Sequence, residues 1–103
     1  MRENRYQKDV ILRLRREFPG CVILKNDSDY LPGIPDLTVL YGFRWALLEV
    51  KAHAGASERP NQRHYIEQLR DMSFAAFIYP ENEEEVFDAL RQALCARRGT
   101  RVS

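Results

Sequence analysis

Residues 35–51, "PDLTVLYGFRWALLEVK", contain two apolar segments on either side of a Gly-Phe pair, and this pattern predicts a β-hairpin. The strands are expected at 36–41 and 44–51. Glycine at the first central position of a two-residue turn favours turn type II′. The charged residues that interrupt these apolar strands are Asp36, Glu49 and Lys51.

The length of the turn sets the register of the hairpin. With a two-residue turn, Tyr41 faces Arg44, and Asp36 then lies opposite Glu49 with β-carbons about 4.5–5.5 Å apart. At an effective dielectric of about 20, two like charges ~5 Å apart repel by about 3 kcal/mol. A four-residue turn with the same centre keeps this register, whereas a three-residue turn loses it. The pair therefore needs a compensating cation, either Lys51 on the same face or a divalent ion such as Mg²⁺.

The rest of the chain predicts an α/β fold in the order αβββαβα. The return strand of the hairpin is apolar on both faces, so helices are expected on both sides of a central mixed sheet. The face of this strand that carries Glu49 and Lys51 also carries Trp45 and Leu47. The other predicted elements are a helix at 3–18, a short buried strand at 21–25, a helix with Pro60 at its first position that ends near Met72, a strand at 74–79 and a helix from Glu83 to about Arg97.

Composition excludes several classes of protein. A chain of 103 residues with 45% hydrophobic and 30% charged residues predicts one globular domain rather than a disordered segment. No apolar run approaches the roughly 18 residues needed to cross a bilayer, and the N-terminus does not resemble a signal peptide. Cys21 and Cys95 form no CxxC pair, which favours free thiols in the cytoplasm over a zinc site.

Charge is distributed unevenly along a chain whose net charge is only +1. Six of the basic residues lie within 2–17, three more lie within 97–101, and 81–88 is acidic. This distribution permits a local basic surface for nucleic acid, but solvated helix faces produce the same pattern. Charge alone leaves both interpretations open.

The pairing of two carboxylates with a lysine provides the groups for metal-assisted hydrolysis of a phosphodiester. An isolated ExK triplet is more often a structural ion pair. Here a Pro-Asp pair at a strand start, a hairpin and ExK in register occur together, which makes a functional site the favoured interpretation.

The segments "GIPDL" and "LLEVK", followed by "PNQ" at a helix start, resemble the PD-(D/E)xK nuclease superfamily and, within it, the stand-alone virus-type VRR-NUC nucleases. The resemblance runs from about residue 3 to residue 79 and implies a restriction-endonuclease-like αβββαβ core plus a C-terminal helix. It implies Asp36, Glu49 and the Val50 backbone carbonyl as ligands of Mg²⁺ or Mn²⁺, with catalytic roles for Lys51, Gln62 and Glu3. Arg59 departs from the serine or threonine that often caps this helix in the family.

Two of these positions have other interpretations. Glu3 is also a favourable charge in the first turn of a helix, and Gln62 is also explained as a partly buried amide bonded to backbone. Both lie on helix faces that are expected to point toward the sheet.

The resemblance further implies a Mg²⁺-dependent DNA endonuclease, selective for branched DNA or four-way Holliday junctions, that works as a homodimer without a membrane partner. It implies a nuclease domain at 1–97 with a basic tail at 98–103, in the cytoplasm of a bacterial or phage-infected cell. The alternative is a non-catalytic nucleic-acid-binding or interaction domain whose acid–lysine cluster is structural. Stabilisation by a divalent cation distinguishes the two.

Overall fold

A computed structural model describes residues 2–95 of the chain as a four-stranded mixed sheet with three α-helices. The strand order is β1-β2-β3-β4, with antiparallel pairing from β1 to β3 and a parallel β3–β4 pair. A short 3-10 turn, Pro80–Asn82, precedes the last helix. The elements are α1 (Glu3–Glu17), β1 (Val22–Lys25), β2 (Leu37–Tyr41), β3 (Arg44–Val50), α2 (Gln62–Met72), β4 (Phe74–Ile78) and α3 (Glu83–Leu94).

The hairpin register predicted from the sequence is confirmed. Tyr41 pairs with Arg44, and Leu37 pairs with Leu48 at the other end of the ladder. Gly42 has φ +63°, as the first central residue of a type II′ turn requires. One step beyond the ladder, the same register puts residue 36 opposite residue 49.

The main core lies between the sheet and two helices, α1 and α3, and a smaller core lies between the sheet and α2. The alternation predicted for β3 is confirmed. Ala46, Leu48 and Val50 belong to the larger core, whereas Leu47, with the half-buried Trp45 beside it, packs toward α2. Glu49 and Lys51 continue this second face beyond Leu47. They therefore point toward the N-terminal end of α2, at Gln62.

The prediction of a buried strand at 21–25 is wrong. β1 is an edge strand whose Val22 and Leu24 side chains are 51% and 47% exposed. Ile23, in contrast, packs against the main core on the other face. The physical reason is that α2 covers β3 and β4 but does not reach across to β1, so one face of β1 and β2 stays open.

Helix α2 begins two residues later than predicted. Pro60 does not occupy the first helical position, because Asn61 adopts a left-handed conformation with φ +70° and the helix starts at Gln62. Asparagine tolerates that conformation better than most residues. The other ends of the described elements lie within one residue of the prediction, except that α3 ends at Leu94 instead of near Arg97. Arg97 itself and the predicted tail at 98–103 lie outside the described residues.

Within residues 2–95, no helix has both the length and the apolar character needed to cross a membrane.

Candidate active site

A cleft of about 470 Å³ opens where β3 ends and α2 begins. Loops at 28–34 and 59–61 form its walls. The structure brings all five side chains predicted for the site into the lining of this one cleft. They are Glu3 from α1, Asp36 before β2, Glu49 on β3, Lys51 after β3, and Gln62 at the start of α2.

Asp36 and Glu49 are held by hydrogen bonds that cross the hairpin. The Asp36 N–H donates to Glu49 Oε1 at 3.2 Å, and the Val50 N–H donates to Asp36 Oδ2 at 2.9 Å. The Asp36 and Glu49 side chains also hydrogen-bond each other, which acts to lower the pKa of Asp36. The Glu49 residue is only 3% exposed, which makes its charge costly without a partner.

Pro35 cannot donate the ladder hydrogen bond that the Val50 carbonyl would otherwise accept. The register places Pro35 opposite Val50, and proline has no N–H. The Val50 N–H donates to the Asp36 carboxylate, and the Pro35 carbonyl accepts from Asn26 Nδ2. Because the N–H and C=O of one strand residue point to the same side, the Val50 carbonyl also faces the acid pair.

Gln62 connects the lysine to the second carboxylate. Its Nε2 donates to Glu49 Oε2 at 2.9 Å, and its Oε1 accepts from Lys51 Nζ at 2.8 Å. The Arg59 N–H donates to the same Oε1 at 2.8 Å, which fixes the orientation of the amide. Both Lys51 and Gln62 are buried, at 6% and 7% exposure. The prediction that Gln62 points inward is confirmed.

The Lys51 ammonium lies next to the acid pair without bonding it tightly. Its Nζ donates to the Ser57 carbonyl at 3.0 Å as well as to Gln62, and it is 3.9 Å from Glu49 Oε2. An ammonium has three N–H donors, so within the described residues one of them is left for a water or a phosphate oxygen. The main chain is anchored too, because the Lys51 N–H donates to the Ile78 carbonyl of β4 at 2.9 Å.

Burial in the cleft, together with the neighbouring Asp36 carboxylate, raises the pKa of Glu49 to about 8. Burial also raises the pKa of Asp36, although the hydrogen bond from Val50 acts in the opposite direction. The charge of Glu3 contributes to both increases. The acid pair therefore retains a proton near neutral pH when no other cation is close.

Glu3 lies at the mouth of the cleft. Its side chain is exposed and makes no hydrogen bond within residues 2–95, so it acts on the acid pair through its charge. Its place in the lining agrees with the predicted inward direction of this stripe of α1. Direct contact of Glu3 with metal or substrate stays a prediction.

Three supporting groups were not predicted from the sequence. The Ser57 carbonyl and the Arg59 N–H are main-chain groups, so no side-chain pattern marks them. Asn26 donates through Nδ2 to the Pro35 carbonyl at 2.9 Å, and its N–H donates to the Asp36 carbonyl at 2.8 Å. The only available sequence signal was an amide residue directly after β1.

The two loops that form the cleft walls contact each other through Gly33 and Asn61. Gly33 has φ +94°, and a β-carbon built on it lies only 2.6 Å from the Asn61 Cβ. A side chain at this position would push the loops apart. Glycine therefore keeps the wall at 28–34 against the start of α2.

The donor groups of the cleft fit a hard divalent cation. Within residues 2–95, no group of three or more His, Cys, Asp or Glu side chains is placed to hold a metal ion, so protein side chains alone would not complete a coordination shell. Asp36, Glu49 and the Val50 carbonyl supply oxygen atoms, and Mg²⁺ commonly binds one or two carboxylates and takes its other ligands from water and phosphate. Without metal, the raised pKa of Glu49 means that its carboxyl keeps a proton near neutral pH. A cation bound at the acid pair would replace this proton.

The pKa of Glu49 predicts how stability varies with pH in the absence of metal. The unfolded chain loses the Glu49 proton near pH 4.5, whereas the folded chain keeps it up to about pH 8. Over that interval the folded state binds more protons, so the free energy of unfolding falls as pH rises. We expect urea denaturation in EDTA at pH 5, 7 and 9 to show this fall in the wild type, and a smaller fall in Glu49→Gln. Parallel pH profiles for the two proteins would contradict the assignment.

No protein-family model, curated protein or solved structure matches this chain. Support for its function therefore comes from its own residues and their geometry.

Proposed function

We propose that this chain is a Mg²⁺-dependent endonuclease that hydrolyses phosphodiester bonds in DNA. One observation carries the proposal: a lysine ammonium and two carboxylates converge in an open cleft, and one of the three Lys51 donors is unused within the described residues. A purely structural ion pair gains nothing from an open cleft or from two acids that repel each other. A site for a cation and a phosphate uses both features.

Asp36, Glu49 and the Val50 carbonyl are proposed to hold Mg²⁺, and Mn²⁺ is expected to substitute for it. When bound, the cation supplies Lewis-acid polarisation of the phosphate and makes water a better nucleophile at neutral pH. The protein contributes an acid pair that Val50 and Gln62 hold in one orientation through hydrogen bonds.

Lys51 is proposed to stabilise the negative charge that builds on the phosphate as water attacks. Gln62 and the Ser57 carbonyl fix its ammonium in place before substrate arrives, and fixed donors cost little reorganisation during the reaction. Gln62 is a positioning residue, because it acts through Lys51 and Glu49. The reaction consumes one water and leaves a phosphomonoester and a hydroxyl at the cut.

A non-catalytic nucleic-acid-binding or interaction domain is the second candidate. The observation that favours it is the burial of Glu49, Lys51 and Gln62 together with their mutual hydrogen bonds, since buried polar groups of structural networks are satisfied in the same way. Such a domain has no use for a divalent cation. A metal-independent melting temperature together with the absence of cleavage would favour this candidate.

We further propose that the working unit is a homodimer that acts on branched DNA in the cytoplasm of a bacterial or phage-infected cell. One site hydrolyses one strand at a time, and two copies related by a two-fold axis reach two antiparallel strands in the simplest way. Light scattering at micromolar concentration is expected to report about twice the 12.1 kDa chain mass. A protein that stays monomeric on DNA and prefers linear duplex would exclude this assembly.

The test of the activity is a cleavage panel of linear, flapped and four-way DNA in Mg²⁺, Mn²⁺ or EDTA. We expect cleavage only with a divalent cation, and faster cleavage of the branched substrates. Equal rates on all three DNAs would retain the nuclease and remove its structure selectivity. The absence of any product in either metal would remove the activity.

A further inference from the structure

Helix α1 presents a basic surface to solvent that the candidate active site does not use. At 3.6 residues per turn, four of the five cationic residues of α1 fall within about 100° of arc, and these four are exposed. At 1.5 Å per residue the set extends about 16 Å along the helix axis. We call this set the α1 basic face, and its members are Arg5, Lys8, Arg15 and Arg16.

The charges of this face are uncompensated, whereas the other cation within α1 is neutralised. Arg13 bonds Glu17 of its own helix and both Glu83 and Glu84 of α3, at 2.6–2.8 Å. Glu17 is also paired with Arg91. In contrast, no member of the α1 basic face forms a hydrogen bond or ion pair through its side chain within residues 2–95. Asp9 is the one acidic residue of α1 near this arc.

The cleft at the N-terminal end of α1 is acidic. Glu3, at the N-terminal end of α1, lines the cleft, and the charged groups of the lining comprise four carboxylates against two cations. These carboxylates by themselves repel a polyanion. A substrate with a phosphate backbone therefore needs attraction from a surface outside the cleft, and the α1 basic face, on the solvent side of the helix whose first turn lines the cleft, provides one.

We propose that the α1 basic face binds the sugar-phosphate backbone of the DNA substrate outside the cleft, an inference that rests on the proposed nuclease function. One DNA strand carries a phosphate about every 3.4 Å, so a 16 Å row of cations faces about five phosphates. Backbone contacts of this kind fix the position of the duplex without reading its sequence. The face thus supplies affinity and orientation, and the cleft supplies the chemistry.

An anionic membrane surface is a poorer partner for this helix. Interfacial helices bury an apolar face in the lipid, but the apolar stripe of α1 is already used in the protein core by Tyr6, Val10, Ile11 and Leu14. Leu12, 57% exposed, is the only large apolar side chain that α1 offers to solvent. The α1 basic face is therefore suited to electrostatic contact with a polyanion and not to insertion into lipid.

The test measures how DNA affinity depends on salt, using two double variants of the basic face. Each double variant, Arg5→Gln/Lys8→Gln or Arg15→Gln/Arg16→Gln, removes two cations from an exposed helix face where glutamine is well tolerated. Binding of a labelled four-way junction is measured in EDTA, which prevents cleavage, at several salt concentrations. The slope of log K against log[salt] is negative, and each lost phosphate contact reduces its magnitude by about 0.9, so each double variant is expected to reduce it by about 1.8.

The matched control is Arg63→Gln/Arg91→Gln, which removes the same charge from two exposed arginines that are paired with acids. Its slope is expected to equal that of the wild type. Equal slopes for all variants, or an equal loss in the control, would overturn the proposed surface. The proposal would also fail if phosphatidylserine vesicles bound more tightly than DNA and only the basic-face variants lost that binding.

The two proposals fail in different ways. If wild-type protein cleaves DNA but the basic-face variants bind with unchanged salt dependence, the surface is wrong and the nuclease stands. If the salt dependence of DNA binding becomes weaker in the basic-face variants as expected but no metal supports cleavage, the proposed surface stands and the proposed nuclease activity is wrong.

Discussion

Replacing Lys51 with alanine is expected to lower DNA cleavage by about 10²- to 10³-fold, the usual loss when one preorganised donor to the transition state is removed. Gln62 and the Ser57 carbonyl hold the ammonium beside the acid pair. Alanine removes this fixed donor and puts no other cation in its position. The acid pair itself stays intact in this variant. Metal-dependent stabilisation should therefore persist while the single-turnover rate falls.

The control for this experiment is Lys25→Ala, since Lys25 is an exposed lysine at the end of β1. Circular dichroism and a melting curve in Mg²⁺ establish that both variants are folded. Wild-type cleavage by Lys51→Ala would remove Lys51 from the mechanism. A matched loss in both variants would indicate that the lysines act by general charge instead of through a fixed donor.

Replacing Asp36 with asparagine is expected to abolish the rise in melting temperature that millimolar Mg²⁺ or Mn²⁺ produces in the wild type. A ligand at about 100 times its dissociation constant adds about 2.7 kcal/mol to the free energy of unfolding. For a domain of this size each 1 kcal/mol corresponds to roughly 4–8 °C. The wild-type shift should thus be large enough to measure by differential scanning fluorimetry.

For the same variant we expect the melting temperature in EDTA to change in the opposite direction. Asparagine keeps an oxygen that accepts from the Val50 N–H, but it removes the charge that raises the pKa of Glu49. Without metal, Asp36→Asn should therefore melt at the wild-type temperature or above it. Asp29→Asn, a carboxylate on the loop wall of the cleft, is the control and should keep the metal-dependent rise. A full metal shift in Asp36→Asn would exclude the acid pair as the cation site.

Part of the site could be predicted because its geometry is local. The turn at Gly42 and the two-residue alternation of the strands together fix which residues face each other, and this is enough to place Asp36 opposite Glu49. The periodicity of α1 likewise directs Glu3 toward the cleft. Such features depend on neighbours close in the chain, so a single sequence contains them.

Other parts of the fold could not be predicted because they depend on how elements far apart in the sequence pack together. The apolar run of β1 reads as a buried strand, yet its exposure depends on how far α2 extends over the sheet. The start of α2 depends on the left-handed Asn61, which lies directly against Gly33 from another loop. Neither the exposure of β1 nor the contact between Asn61 and Gly33 can be predicted from the local pattern of hydrophobic residues.

The sequence by itself therefore determined the hairpin, the register of its two acids and the αβββαβα order, since turn chemistry and side-chain alternation act over a few residues. Only the tertiary structure decided how Gln62 bridges Glu49 to Lys51, and how the Ser57 carbonyl holds the ammonium. It also decided that four cations of α1 are exposed and form no ion pair within the described residues. These arrangements join residues far apart in the chain, and their positions are set by the packing of α1 and α2 on the sheet.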